Sequence, residues 1–228
     1  MRILGAAAAF VLALTLASTA VAQDVAVTTA APTGGGGFKP FVVGGYMSFG
    51  MAHTFYAMDG EDPDTKPRFA GGGGGYFDWY LMEILALQGG IGFIGKGWRY
   101  DEHDVKYRMQ FIYMEIPLGA KLNIKGFQAA VEIALSFALS ERTHQFEPDD
   151  DVDHFGDDEW DYYRRFNLVP RVTVGYAIPV GPVAIVPSLM WSIELINSAK
   201  GDMEDALDAK IHNMNLMGNV GVEFGFGG

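Results

Sequence analysis

The sequence predicts an all-β fold, an antiparallel up-and-down barrel of about eight strands that crosses a lipid bilayer. Three observations carry this reading. Long segments alternate at period two between apolar and polar residues. The connections between them are alternately short and long. The acidic residues collect in the long ones.

The alternation is plainest over residues 107–141, two strands around a turn at Asn123-Ile124-Lys125-Gly126. In the second strand Phe127, Val131, Ile133, Leu135, Phe137 and Leu139 share one face, and Gln128, Glu132, Ser136 and Ser140 the other. In the first, Ile112, Met114, Ile116 and Leu118 oppose Phe111, Tyr113, Glu115 and Lys121. Each run exceeds the ~9–11 residues that a strand needs to span a bilayer. Lipid offers no partner to backbone polar groups, so spanning strands must close on themselves. The exterior is then greasy and the lumen polar.

Taken in order, the chain begins with a basic residue, Arg2, an apolar run over 4–17 and the small-residue site Ala20-Val21-Ala22. This is the pattern of a cleaved signal peptide over residues 1–22. Residues 23–37 end in four glycines and read as a flexible linker. The barrel is assigned to residues 38–226. Its strands are placed near 38–53, 69–81, 83–98, the two strands of 107–141, 166–178, 183–197 and 212–226. Gly71 to Gly75 lie within the second, where glycine permits curvature and close approach. Short turns fall near residues 81–82, 123–126 and 180–182, and long loops at 55–68, 99–106, 142–165 and 198–211. Residues 205–211 are compatible with a helical turn. The four long loops hold 20 of the 28 acidic residues. Short periplasmic turns and long external loops are the asymmetry of a bacterial outer-membrane barrel.

Composition narrows the function. There is no cysteine, hence no disulfide framework and no thiol chemistry. A net charge of −12 argues against a nucleic-acid partner, which needs a basic footprint. Residues 90–97, GIGFIGKG, imitate a phosphate-binding loop, but no helical period follows and Gly97 stands where a Ser or Thr is needed. Asp149, Asp151 and Asp153 imitate the start of a calcium loop, but His154 occupies the glycine position. The acidic stretch 147–161 therefore reads as a solvated loop with at most loose binding of divalent cations. No Ser-His-Asp frame is present, so no catalytic residue, cofactor or specific metal site is assigned.

Alternation aims eight charged side chains inward: Asp78, Lys96, Glu115, Lys121, Glu132, Arg171, Glu194 and Glu223. An eight-stranded lumen is just wide enough for side chains to fill. Charges enclosed there must pair, because an unpaired one costs several kcal/mol. The expectation is a lumen plugged by ion pairs, with a narrow cation-preferring porin as the alternative.

Two stretches resemble the small outer-membrane β-barrel family of the PorT-like or porin-like type. One is Leu87-Gln88 followed by Phe93 and Lys96-Gly97. The other, Tyr113-Met114-Glu115-Ile116-Pro117-Leu118-Gly119-Ala120-Lys121, is similar to that family's Tyr-x-Glu-Ile-Pro-Leu-x-x-Lys strand. The resemblance implies a barrel in the bacterial outer membrane, in contact with its lipid, and carries no catalytic residues. The expected role is non-enzymatic, structural or surface-interacting, with acidic loops outside. A lipid-acting hydrolase is the further alternative.

Overall fold

The computed structural model describes residues 39–57, 65–102, 105–146, 151–153, 163–201 and 210–227. Its strands are β1 (Phe41–Ala57), β2 (Thr65–Lys66), β3 (Arg68–Met82), β4 (Leu85–Glu102), β5 (Val105–Ile124) and β6 (Phe127–Phe146). They continue as β7 (Asp151–Asp153), β8 (Phe166–Tyr176), β9 (Ile178–Val180), β10 (Val183–Ile193) and β11 (Lys210–Phe226). Each long strand pairs antiparallel with the next along the chain. β1 pairs with β3 on one side and with β11 on the other, and β11 pairs with β10. The sheet therefore closes. Its eight staves are β1, β3, β4, β5, β6, β8 continued by β9, β10 and β11, while β2 extends the sheet beside β4 and β7 beside β6.

Closure leaves no bare edge, so strand meets strand all the way round the wall. The faces divide as the alternation requires. Met47, Phe69, Leu118, Ile133, Leu139, Leu189 and Val222 stand outward and exposed, and Met47 reaches 74%. Asp78, Lys96, Ser136, Asn167, Asn215 and Glu223 are buried inside. A soluble protein would invert this arrangement. The exposed band is the surface that hydrocarbon covers.

The short turns are two residues each. Lys125 and Gly126 take φ of 53° and 87°, the left-handed pair of a type I′ hairpin, which matches the twist of the flanking strands. The start of β1 and the end of β11 meet at the same side, where Phe41 pairs with Phe226.

The strands outrun their expected limits at the loop end. The loop expected at 99–106 is mostly ladder, because β4 continues to Glu102 and β5 begins at Val105. Cross-strand pairing of polar residues carries these ribbons beyond the apolar band. At the turn end, the strand expected over 166–178 breaks at Ala177, whose N–H donates to Gly126 O at 2.7 Å instead of to the ladder. The strand expected over 183–197 stops at Ile193, and that over 212–226 starts two residues early, at Lys210. Ile211 is therefore strand, and the rest of the helical turn considered at 205–211 lies outside the described residues apart from Lys210. So do residues 1–37 and most of the acidic loop 147–161, of which β7 alone is described.

On the inner face, Gly74 of β3 and the glycines of its neighbouring strands have a visible purpose. Tyr46 stands opposite Gly74, and Tyr76 lies between Gly44 and Gly90 on its two neighbouring strands. A Cβ added to Gly92 would lie 2.6 Å from the Tyr46 hydroxyl, and one on Gly44 would lie 2.3 Å from the Tyr76 ring. The missing side chains form a trough in which two tyrosines lie across the wall, an aromatic cover over bare strand.

Candidate functional site: the charged lumen

Nothing in this barrel is more chemically distinctive than its interior. All eight inward charges expected from the alternation lie buried there. They form two clusters, each built from several staves.

The first cluster is on the turn side. β5 supplies Lys121, β3 supplies Asp78 and β11 supplies Glu223. Lys121 Nζ lies 2.8 Å from Asp78 Oδ2 and also contacts Glu223 Oε1. Gln88 Nε2 donates to Asp78 Oδ1 at 2.7 Å. The Tyr76 hydroxyl and Gln128 Nε2 donate to Glu223 at 2.7 and 2.9 Å. The tyrosine laid in the glycine trough thus holds a carboxylate in place.

The second cluster sits nearer the loops. Lys96 Nζ is 3.0 Å from both Glu115 Oε1 and Glu194 Oε1. Arg171 Nε donates to Glu132 Oε2 at 2.7 Å, and its Nη1 reaches Glu115 Oε2 at 3.4 Å. Glu115 therefore bridges the two cations. Glu194 Oε2 accepts from Ser198 Oγ at 2.9 Å and from Asn213 Nδ2 at 2.7 Å. Five acids against three bases leave excess negative charge, and neutral donors meet it: each carboxylate accepts at least two hydrogen bonds or ion pairs. These donors satisfy the carboxylate oxygens that burial removes from water.

A cavity of about 70 Å³ lies between the clusters, lined by Tyr46, Tyr76, Lys121, Gln128, Glu132 and Arg171 among others. This is room for a few water molecules.

The polar lumen expected from the sequence is incomplete. Its loop-side half also holds an apolar cluster of Ile94, Phe111, Tyr113, Met190 and Met217, against which Trp98, Met109 and Tyr163 pack. Ring centroids of Phe111 lie 5.9 Å from Trp98 and 5.7 Å from Tyr163. Tyr163, just ahead of β8, packs on this inner cluster. At the turn side Val42, Tyr80 and Ala86 make a smaller apolar group. The signal for both was available: these residues sit on the inward phase of their strands. Among the described residues no group of three or more His, Cys, Asp or Glu is arranged to hold a metal.

The comparisons with known proteins agree with the geometry. Residues 22–193 match the family described as outer membrane protein beta-barrel domain. The chain belongs to that family. It is a barrel of the bacterial outer membrane, and the apolar band described above meets that membrane's lipid. Among solved structures it is similar to Ail of Yersinia pestis, crystallised with the heparin analogue sucrose octasulfate, at 12% identity and a TM-score of 0.40, covering 80% of this chain and 99% of that one. OprG of Pseudomonas aeruginosa is similar at 10% identity and a TM-score of 0.41, covering 84% and 99%. AlkL, determined in DMPC lipid bilayers, is similar at 10% identity and a TM-score of 0.42, covering 90% and 96%. No curated protein sequence matches.

Proposed function

We propose that this outer-membrane barrel is a closed, non-enzymatic scaffold: ion pairs plug its lumen, and its wall presents acidic loops at the cell surface. One observation carries the reading. Among the described residues, each of the eight lumen charges is held by an opposing charge from elsewhere in the wall, which leaves none of the eight to line a path. An ion entering would have to displace such a pair, and in a low-dielectric interior that costs several kcal/mol. The apolar cluster at the loop side adds a second barrier, because apolar constrictions exclude water.

Planar-bilayer recording of the refolded protein tests this reading directly. The expected result is no discrete conductance steps in 1 M KCl. Regular cation-selective steps would establish the narrow porin instead. Phospholipid and lipid A incubated with the same preparation remain intact. Turnover of either would overturn the non-enzymatic assignment.

The reading also assigns residues 1–22 as a signal peptide, removed before the barrel folds, and 23–37 as a linker. Intact-mass measurement of protein purified from outer membranes is expected to place the first residue at Gln23. A chain retaining Met1 or Arg2 would contradict cleavage. Loose occupancy of the acidic loop by divalent cations belongs to the same proposal, since the four long loops carry most of the acids.

A further inference from the structure

We propose that the loop-end rim of β2, β4 and β5 binds the phosphorylated headgroups of outer-leaflet glycolipid through Lys66, Arg99 and Arg108. This rests on the barrel's orientation, with the two-residue turns in the periplasm, and is independent of whether the lumen conducts.

The register lines these residues up. Lys66 of β2 is directly opposite Arg99 of β4, and Arg99 is directly opposite Arg108 of β5. Residues that face one another across a ladder point to the same side. Trp98 and Met109, the next opposing pair, pack on the cluster inside the lumen. By alternation Arg99 and Arg108 stand outward. Below them on the same face come Gln110, Ile112 and Met114 on β5, and Gly97, Gly95 and the exposed Phe93 on β4. The basic row therefore caps the lipid-facing band, at the height where headgroups begin. Arg68 adds a third guanidinium near by, donating from Nη1 to Lys96 O at 3.3 Å and Met109 O at 3.2 Å. On β6 the backbone register sets Arg142 opposite Gln110 and His144 opposite Arg108.

Like charges directly opposite in a sheet repel. Here three stand in line across three strands. Each also interacts elsewhere in the protein, so an anion would join an existing arrangement. A phosphate set between two guanidinium groups turns their repulsion into shared, bidentate bonding. The placement is not a general surplus of base: the chain carries −12 overall. At the turn end, among the described residues, the bases outside the lumen are Lys39 and Lys125. A soluble polyanion is repelled by the chain's overall charge of −12. A lipid phosphate reaches the rim from the side, within the leaflet. Height and net charge together select the lipid.

The test uses full-length mature barrel folded in detergent, titrated with bisphosphorylated lipid A or its dephosphorylated form and followed by native mass spectrometry. Dephosphorylated lipid A is expected to bind at least about tenfold more weakly, the scale of one lost charge-assisted hydrogen bond. The R99Q/R108Q double variant is expected to lose a similar factor, R99K/R108K to keep most of the affinity, and K39Q/K125Q at the opposite end to match the parent. Heat-modifiable gel migration verifies that each variant is folded. Equal binding of the two lipids would overturn the proposal, as would parental binding by R99Q/R108Q. Displacement of the lipid by equimolar inorganic phosphate would also overturn it, by showing a site indifferent to the leaflet.

Discussion

Lys96→Met is expected to destabilise the barrel by about 3–5 kcal/mol, the cost of removing one partner from a buried ion pair. Lys96 is fully buried and lies 3.0 Å from two carboxylates. Their fates differ. Glu115 keeps Arg171 at 3.4 Å and Ser136 Oγ at 3.3 Å. Glu194 keeps hydrogen bonds from Ser198 and Asn213, but among the described residues Lys96 is the one cation beside it. The loss therefore falls mainly on Glu194. K96M/E194Q is expected to regain most of the stability, because a neutral amide needs no counter-charge. Reversible guanidinium unfolding in lipid vesicles, followed by tryptophan fluorescence, measures both. A single variant within about 1 kcal/mol of the parent would mean that water, not Glu194, balances Lys96. A double variant no better than the single would move the lost energy to Glu115.

That experiment also tests a kind of interaction which sequence displays unevenly. The side of the wall on which Lys96, Glu115 or Glu194 falls is fixed by period-two alternation and is legible residue by residue. Which acid meets which base is not. Lys96 and Glu194 are 98 positions apart and meet across the lumen, on staves whose relative height depends on barrel tilt and stagger. The ladder is legible where turn chemistry pins it, as at Lys125-Gly126, and illegible at the loop end, where polar ribbons carry no apolar face to mark their length. The apolar half of the lumen was missed for another reason. Phe111, Tyr113, Met190 and Met217 lie on the inward phase, but a rule of polar lumens leads the reader past them. A lumen half packed with apolar side chains obeys the packing rules of a core there, and large apolar residues on the inner phase are how a sequence announces it.

The glycine trough gives the second large expectation. Gly44→Ala is expected to cost about 3–5 kcal/mol, whereas Gly45→Ala, one residue along the same strand, is expected to stay within about 0.5 kcal/mol of the parent. A Cβ on Gly44 would lie 2.3 Å from the Tyr76 ring and 2.6 Å from its hydroxyl, closer than contact allows. The ring must move, and overpacking of this kind costs about 1–3 kcal/mol. Moving it also withdraws the hydroxyl that donates to Glu223 at 2.7 Å, and a hydrogen bond to a buried charge is worth about 1.5–3 kcal/mol. On Gly45 the added atom points outward, with Gly74 O at 3.6 Å as its nearest neighbour, an ordinary contact. Composition and strand propensity are the same for the two substitutions, so only the trough separates them. Tyr76→Phe divides the larger cost: it gives up the hydrogen bond alone and is expected to lose about half as much. In Y76F/G44A the hydrogen-bond loss is counted once, so the two effects fall short of their sum. Strict additivity would show that Gly44 and Tyr76 act apart, and that the glycines of this wall serve only its curvature.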